Sequence, residues 1–248
     1  TWYPIWIFLT FAISAGVAPP FGENEIVCRN GSRRTVAWDT TVLRSPGGEV
    51  QGIASLGADV TERRLEDATM KLLQSITHTT SSAPDLDGAL AQTLASLCAA
   101  TGWAYGEAWL PQDDSVRLER ATHYAEKGVD ASALIDAGAG LAFAPNEGLP
   151  GRAWESGSIE WIHDLESAGE RGFPRTHLAA QLGFRAAVAV PVQSGAQVVA
   201  VLAFFMRTPL HTDDRHTRMV AVVANQVGAL IARRREQIAV DDIVNISK

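Results

Sequence analysis

The sequence of 248 residues contains only two cysteines, Cys28 and Cys98. Two cysteines cannot build the disulfide framework of a small secreted protein, and neither lies in a Cys-x-x-Cys pair, so the count is typical of a reducing compartment. The same scarcity disfavours a structural zinc site, because such sites need about four Cys or His ligands at short spacings.

Basic residues are also few. The sequence has 21 Lys and Arg against 28 Asp and Glu, which gives a formal net charge of −7. Proteins that bind nucleic acid neutralise phosphates with an excess of basic side chains, so we expect no nucleic-acid partner. The hydrophobic share of 46% and the charged share of 20% are typical of globular domains and exclude a wholly disordered chain.

The motifs of well-marked enzyme classes are missing as well. The sequence has no G-x-x-x-x-G-K-[ST], no G-x-S-x-G, no H-E-x-x-H and no G-x-G-x-x-G after a strand, so phosphate-binding loops, nucleophile elbows and zinc-protease helices are all absent. We therefore predict no catalytic residue and no metal site, and we expect this chain not to be an enzyme.

Charge is absent from residues 1–22, which are largely apolar. A spanning helix needs about 20 unbroken apolar residues, whereas Pro4, Pro19 and Pro20 interrupt this run, and no Lys or Arg precedes it as in a signal peptide. We favour a buried piece of an incomplete domain, with a membrane-associated end and a sequence artefact as alternatives. We expect a cytoplasmic protein, or the soluble part of a membrane-associated sensor, with membrane association only through residues 1–22.

The following segment predicts three antiparallel strands and then a helix. Strand-like runs at 26–28, 35–43 and 50–56 are separated by Asn30-Gly31 and by Pro46-Gly47-Gly48, which favour tight turns. Asp59 or Thr61 can cap the helix that comes next.

This segment resembles the C-terminal half of a PAS domain. In that family an Asp-Ile-Thr signature couples the last strand to an output helix, so the resemblance implies a signal-coupling role for Asp59 and Thr61, with Val60 in place of Ile. The helical half of a PAS domain would be missing or reduced to residues 1–22, so the expected partial PAS domain covers residues 1–62. The resemblance is carried by Glu23-Asn24-Glu25-Ile26, Arg29-Asn30-Gly31-Ser32-Arg33-Arg34, Trp38, Gly48-Glu49-Val50 and Asp59-Val60-Thr61-Glu62-Arg63.

Residues 63–84 predict a linker helix that carries signals. Its apolar residues recur at near-heptad spacing, which indicates either a helix packed on the next domain or a parallel coiled-coil seam. We expect a homodimer through this helix and the helix at the end of the chain. The apolar positions are Leu65, Leu72, Leu73 and Ile76.

Residues 85–236 predict an α+β domain, an antiparallel sheet with helices packed against it, and residues 237–248 a tail. The predicted order is helix, two strands, helices, strand, helix, two strands and a long helix, which is typical of that class. The two most apolar strands, at 184–192 and 196–205, are expected at the centre of the sheet.

This domain resembles the GAF family, in particular the modules of bacterial sensor kinases in which PAS and GAF units are joined by helices. The resemblance implies a ligand cavity lined by Trp161, Phe173, Arg175, His177 and Phe205. It is carried by Gly148-Leu149-Pro150-Gly151-Arg152-Ala153-Trp154, Trp161-Ile162-His163-Asp164, Phe173-Pro174-Arg175, Gly183-Phe184-Arg185-Ala186, Val190-Pro191-Val192 and Val199-Ala200-Val201-Leu202-Ala203-Phe204-Phe205.

The ligand of such a cavity is not identified by the sequence. Covalent attachment of a bilin is disfavoured, because no cysteine follows Cys98. The Asn-Lys-x-Phe-Asp-Glu motif of cyclic-nucleotide GAF domains is absent, and haem is disfavoured because a lone histidine is more often a surface residue than an axial ligand. Trp103, Trp109, Trp154 and Trp161 are interpreted as core or sheet residues rather than as an aromatic cage.

We therefore predict a sensory and regulatory module that binds a small molecule or a partner and relays the signal through its flanking helices to an output domain outside this chain. The chain begins with Thr, so we expect a piece of a longer protein. The alternative is a truncated sensor histidine kinase of a two-component system. A free-methionine sulfoxide reductase is disfavoured, since that GAF enzyme relies on several reactive cysteines.

Overall fold

The structure is a computed structural model that describes residues 21–29, 32–83, 85–112, 116–168, 175–208, 218–229 and 231–233. The chain divides into two compact units, Thr1–Asp67 and Ala68–Lys248. The predicted Asn30-Gly31 turn, Phe173 and all of residues 1–20 lie outside the described residues.

The first unit contains a three-stranded antiparallel sheet in chain order. Its strands are β1 (Phe21–Val27), β2 (Arg33–Arg44) and β3 (Val50–Asp59). Among its described hydrophobic residues only Val36 is buried, while Phe21 and Leu56 are more than half exposed. Cross-strand hydrogen bonds and polar contacts, such as that between Thr40 and Ser55, therefore hold these strands together with little apolar burial.

A helix of 22 residues, α1 (Thr61–Ser82), begins two residues after β3 ends. The second half of its apolar stripe is covered by other residues of the same chain: Leu72 and Ile76 are buried, and Leu73 is half-buried. Of the two interpretations of the linker helix, the burial of these positions favours the helix packed on the next domain over the coiled-coil seam.

The second unit is built on a six-stranded antiparallel sheet in the order β6-β5-β4-β9-β8-β7. The described residues of this unit form five further helices that pack around the sheet, and the last of them, residues 218–229 and 231–233, is here called α6. No helix in the described part of the chain is both long and apolar enough to cross a membrane. The strands are β4 (Tyr105–Pro111), β5 (Leu118–Ala125), β6 (Ala142–Phe143), β7 (Glu160–Ile162), β8 (Ala186–Ser194) and β9 (Gln197–Met206), and the helices are α2 (Leu86–Thr101), α3 (Ser132–Ala137), α4 (Gly148–Ser156) and α5 (Thr176–Gln181).

Strand pairing assigns the side chains of this sheet to two faces, because residues directly opposite each other share a face. Tyr105 is paired with Phe205, which is paired with Ala187. These residues belong to one buried cluster with Leu149 and Ala153 of α4, so we call this the α4 face. The other face carries Gly106, Phe204 and Val188 and is called the α2 face.

Helices α2 and α6 pack on the α2 face. Leu94 of α2 is completely buried and approaches Gly106 of β4. In α6, a Cβ atom on Gly228 would lie 2.0 Å from the Gln193 carbonyl oxygen and 3.4 Å from Val192. Glycine at position 228 therefore allows the helix backbone to touch β8. Val222 and Gln226 lie on the exposed side of α6.

Candidate functional site

A buried carboxylate lies in the middle of the α4 face. Glu107 is at the centre of β4 and has no solvent exposure, although its strand is otherwise apolar. The side chains of a strand alternate between faces, so Tyr105 and Trp109 stand on the same face on either side of it. Both aromatic side chains are completely buried. A charged group at such a place requires partners, since burying an unpaired charge costs several kcal/mol.

Four side chains supply those partners. Oε1 of Glu107 accepts hydrogen bonds from the Tyr105 hydroxyl at 2.8 Å, from Nη1 of Arg175 at 2.8 Å and from Nη1 of Arg120 at 3.3 Å. Oε2 accepts from Nη2 of Arg175 at 2.6 Å and from Nε1 of Trp109 at 3.2 Å. Arg175 therefore holds the carboxylate in a two-pronged ion pair, the geometry that suits a planar guanidinium best. We call these five residues the Glu107 cluster.

The two arginines also bind the end of α3. Nη1 of Arg175 donates to the Leu134 carbonyl at 3.0 Å, and Nη2 of Arg120 donates to the Ile135 carbonyl at 2.8 Å. The carbonyl end of a helix carries partial negative charge and favours cations. Gly138 follows α3 directly, and a Cβ atom there would lie 2.2 Å from Nη1 of Arg120 and 2.9 Å from Nη1 of Arg175. Glycine at position 138 thus leaves room for both guanidinium groups.

Arg175 and Tyr105 both keep their protons near neutral pH. Burial by itself lowers the pKa of Arg175, but the hydrogen bonds and the negative charge of Glu107 outweigh it, so the pKa lies above its ordinary value. Burial, together with the charge of Glu107, raises the pKa of Tyr105 far above its ordinary value. The Arg175 guanidinium also lies over the Trp109 ring, 5.6 Å from its centroid, a cation–π contact. The arrangement binds and orients groups; neither Arg175 nor Tyr105 can exchange protons near neutral pH.

Two of the predicted pocket residues meet at this cluster. Arg175 is 4% exposed and is one of its members, and Phe205 of β9 is 1% exposed. The Phe205 ring lies 5.5 Å from the Tyr105 ring and 5.7 Å from the Phe184 ring, measured between centroids. Tyr105 therefore connects the two: its ring lies near that of Phe205, and its hydroxyl shares Oε1 of Glu107 with Arg175.

The other predicted pocket residues are placed elsewhere or are not described. Trp161 is paired with Val188, so it lies on the α2 face, at the opposite edge from β6; its ring is stacked on His163. His177 is exposed on α5, where Nε2 contacts the Gln181 amide at 3.0 Å. Phe173 lies outside the described residues. These three stay predictions as ligand contacts.

Sequence reasoning missed Glu107, Tyr105 and Arg120. A usable signal was present: in the strand Tyr-Gly-Glu-Ala-Trp a single carboxylate has an aromatic residue two positions away on each side. Alternation places all three on one face. A lone charge between two aromatic side chains on a buried face must be paired, although the sequence alone does not say with which arginine.

Cys98 of α2 lies on the buried face of its helix. It is 2% exposed, and burial, with a smaller effect from Glu126, raises the pKa of its thiol to about 12. The thiolate is the nucleophilic form of cysteine, so this residue is protonated near neutral pH and has the character of a core residue.

In the first unit, the predicted coupling residues form the junction between β3 and α1. Oδ1 of Asp59 accepts hydrogen bonds from the Thr61 N–H at 2.9 Å and from its hydroxyl at 2.5 Å. The same hydroxyl oxygen accepts from the Thr35 N–H of β2 at 2.8 Å. The hydrogen bonds from Thr61, and then the charge of Arg34, lower the pKa of Asp59. Thr61, the first residue of α1, is therefore hydrogen-bonded to β3 through Asp59 and to β2 through Thr35.

The six-stranded antiparallel sheet with helices on both faces defines an α+β domain built on one central sheet. The profile of the GAF domain family matches residues 83–232, and the chain belongs to that family. GAF domains are small-molecule-binding sensory modules. A regulatory domain of this kind is compatible with a chain that is not an enzyme.

Solved structures share this fold at low sequence identity. The GAF domain of a phosphoenolpyruvate-protein phosphotransferase from Coxiella burnetii is 18% identical, with a TM-score of 0.56 over 69% of this chain and 97% of that chain. Free methionine-R-sulfoxide reductase from Neisseria meningitidis is 18% identical, with a TM-score of 0.54 over 68% and 91%. The chromophore-binding domain of a bacteriophytochrome from R. palustris is 13% identical, with a TM-score of 0.52 over 95% and 80%.

A shorter likeness is found to a plant protein. The anthocyanin regulatory Lc protein of Zea mays is 37% identical over 54 residues, which is 22% of this chain and 9% of the length of that protein. The match spans so little of the plant protein that it says nothing about the activity of this chain.

Proposed function

We propose that this chain is the sensory and relay part of a signalling protein, in which a partial PAS domain (1–62) and a linker helix (63–84) precede the GAF domain (85–236). The likeness to the bacteriophytochrome chromophore-binding domain supports this organisation, because it extends over 95% of the chain and hence beyond the residues that the GAF profile matches. The three-stranded sheet and the helix that follows it are the elements that the proposed PAS part requires.

The observation that carries the relay is the bonding at Thr61. This residue is 4% exposed, it is bonded to Asp59 and Thr35, and it opens a helix of 22 residues that runs without a break into the second unit. A change in the strands therefore has a covalent and hydrogen-bonded route into α1. The mechanism is a population shift, in which a ligand that favours one packing of a domain biases the position of its helices.

For the GAF domain, we propose that a small molecule binds on the α4 face, next to Arg175 and Phe205. The Glu107 cluster has two guanidinium groups, those of Arg175 and Arg120, for one carboxylate, so this face keeps a positive excess for an acidic group, and Phe205 and Tyr105 give it aromatic surface. His177 lies two residues after Arg175 and is placed at the exposed side of the same segment. The bilin of a phytochrome is not proposed, because Cys98, which carries the only thiol of residues 83–232, is buried.

Native mass spectrometry of the purified chain tests ligand binding. We expect a fraction of the protein to have a mass above that of the polypeptide, and the excess mass to disappear on denaturation. This liganded fraction should be smaller in an Arg175→Met variant that remains folded by circular dichroism. Arg33→Met, which removes an exposed arginine of β2, is the control. An unliganded mass in protein freshly purified from its native host would contradict the proposal.

Hydrogen exchange tests the relay at Thr61. Thr61→Val removes the hydroxyl and leaves the Thr35 N–H without this acceptor, at a cost of about 1–3 kcal/mol. We expect faster exchange at Thr35 and along α1 to at least residue 76. Thr41→Val, at an exposed position of β2, should leave both unchanged. Exchange that changes only at Thr35 would show that the junction does not transmit.

A histidine kinase core is our second candidate for the output. The coding sequence downstream of this segment distinguishes a kinase core from another output domain. A phosphoacceptor histidine on a dimerisation helix, together with glycine-rich ATP-binding boxes, would support the kinase. A different effector domain there would decide against it.

A further inference from the structure

An open groove of about 500 Å³ lies at the carboxyl end of α4, away from the Glu107 cluster. It runs between the last turn of the helix, the β8–β9 hairpin and the end of β4. Its volume falls within the range of about 300–1,000 Å³ that is usual for small-molecule sites. The side chains that give it its chemistry are Trp154, Glu155, Ser156, Gln193 and Gln197.

The electrostatics of the groove favour a cation. Glu155 is the only charged residue among the described residues that line it. The groove also faces the end of α4, where the helix finishes at Gly157 in the left-handed conformation and its last carbonyls carry partial negative charge. The Glu155 carboxylate and the carbonyl end of α4 therefore both favour a cation in the groove.

The groove also offers an aromatic surface and a fixed hydrogen-bonding group. Trp154 is half-buried, so its ring packs on the core and still borders the groove; a tryptophan face is the best aromatic partner for a cation. Nε2 of Gln193 donates to the Gly157 carbonyl at 3.0 Å, which fixes the orientation of this amide in the lining of the groove.

Gln193 also joins the groove to α6. It follows a β-bulge in β8, where the register shifts between Val192 and Gln193, and a bulge redirects a side chain. The side chain bonds to the end of α4, while the backbone carbonyl lies against Gly228 of α6. An occupant of the groove would therefore touch a residue that is in contact with the terminal helix.

From these observations we propose that the groove is a second ligand site, for a small organic cation with an ammonium or guanidinium group and an apolar body. The cationic group lies between Glu155 and the end of α4, and the apolar body lies against the Trp154 ring. The inference goes beyond the ligand proposed for the α4 face, and it does not depend on it, because the two sets of residues do not overlap.

Two probes that differ mainly in charge test this site, namely tyramine and 4-hydroxyphenylacetate. Each is titrated into the ¹⁵N-labelled chain and followed at the indole N–H of Trp154, which a Trp154→Phe variant assigns. We expect tyramine to bind about tenfold more tightly than the anion, as the combined effect of a helix end and an exposed ion pair.

Glu155→Gln should reduce this preference about threefold, which is the share of one exposed ion pair. Glu119→Gln, at an exposed position of β5, removes the same charge elsewhere and should leave the preference intact. The proposal is wrong if tyramine leaves the Trp154 signal unmoved, if both probes bind equally, or if Glu155→Gln and Glu119→Gln have the same effect.

Discussion

At the scale of single residues, the Glu107–Arg175 pair is an ion pair in which both side chains are almost completely buried. Removing one partner of a buried ion pair leaves the other charge uncompensated and costs about 3–5 kcal/mol. We therefore expect Arg175→Met to lower the free energy of unfolding of the GAF domain by about that amount, measured by urea denaturation with circular dichroism.

An exposed pair provides the control. Arg185 contacts Glu166 at 2.8 Å with both side chains more than a third exposed, and such pairs contribute about 0–1 kcal/mol, so Arg185→Met should have a small effect. The double variant Glu107→Leu/Arg175→Met should be more stable than Arg175→Met alone, because no carboxylate is then buried beside the missing arginine. Equal losses for Arg175→Met and Arg185→Met would contradict a structural role for the cluster.

His123 reports on the charge of this cluster from outside. It is paired with Glu107 across β4 and β5, and desolvation, followed by the positive charge of Arg120, lowers its pKa below 6.5. The folded chain thus binds fewer protons at this site than the unfolded chain, so this histidine's contribution to stability is lost as the pH falls below 6.5.

The Arg120→Gln variant tests this cause directly. We expect the pKa of His123, followed by NMR titration of its ring protons, to rise but to stay below 6.5, since desolvation is the larger cause. Arg33→Gln removes a positive charge in the first unit and should leave the titration of His123 unchanged. A midpoint that does not move in Arg120→Gln would show that the guanidinium has no influence on the imidazole.

At the scale of the elements, periodicity and turn residues predicted much of the second domain. The first helix of the predicted order is α2 (Leu86–Thr101), and α4 (Gly148–Ser156) is one of the helices predicted between the second and third strands. These segments have strong local signals, namely an apolar stripe and glycine at the end. The two-residue strand β6 has no such signal, because its pairing with Leu118 and Glu119 is purely a tertiary contact.

The site was less predictable than the elements for the same reason. Arg175 was expected in the pocket through family resemblance, but its partner Glu107 is 68 residues away along the chain. Which face Trp161 occupies depends on the register of β7 against β8, and a shift of one residue reverses the face. The spacing of motifs along the chain does not specify this register. The resemblance therefore assigned Trp161 and Phe205 to one cavity, although they lie on opposite faces of the sheet.

The contact between α6 and β8 gives a test at the element scale. Within a helix, alanine is normally more stabilising than glycine by about 1 kcal/mol. If α6 made no contact with the sheet, Gly228→Ala would therefore stabilise it. Because the added Cβ atom would lie 2.0 Å from the Gln193 carbonyl oxygen, we expect the opposite, with faster hydrogen exchange over residues 218–229. Asn225→Ala, at an exposed position of the same helix, should not accelerate exchange. Slower exchange in Gly228→Ala would mean that the helix does not rest on β8.

At the scale of the whole molecule, the two units differ in how much of their sheets they bury. The second unit buries both faces of its sheet, whereas the first exposes most of the side chains of its three strands. A three-stranded sheet with so little buried apolar surface gains little from the hydrophobic effect. The stability of the first unit is therefore expected to depend on the Thr61 junction, where its strands are bonded to a long helix.

The proposed homodimer is the last consequence at this scale. Both flanking helices present large apolar side chains that the chain leaves exposed: Met70 of α1 is 58% exposed and Val222 of α6 is 43% exposed. We expect sedimentation equilibrium to show a dimer, and Met70→Glu to weaken the association at least about tenfold, because a carboxylate buried in an apolar seam would lose its hydration. Leu43→Glu alters a side chain of similar exposure, 48%, on β2 and should leave the association unchanged. A chain that sediments as a monomer at high concentration would contradict the dimer, and an equal effect of the two substitutions would place the dimer seam elsewhere than on α1.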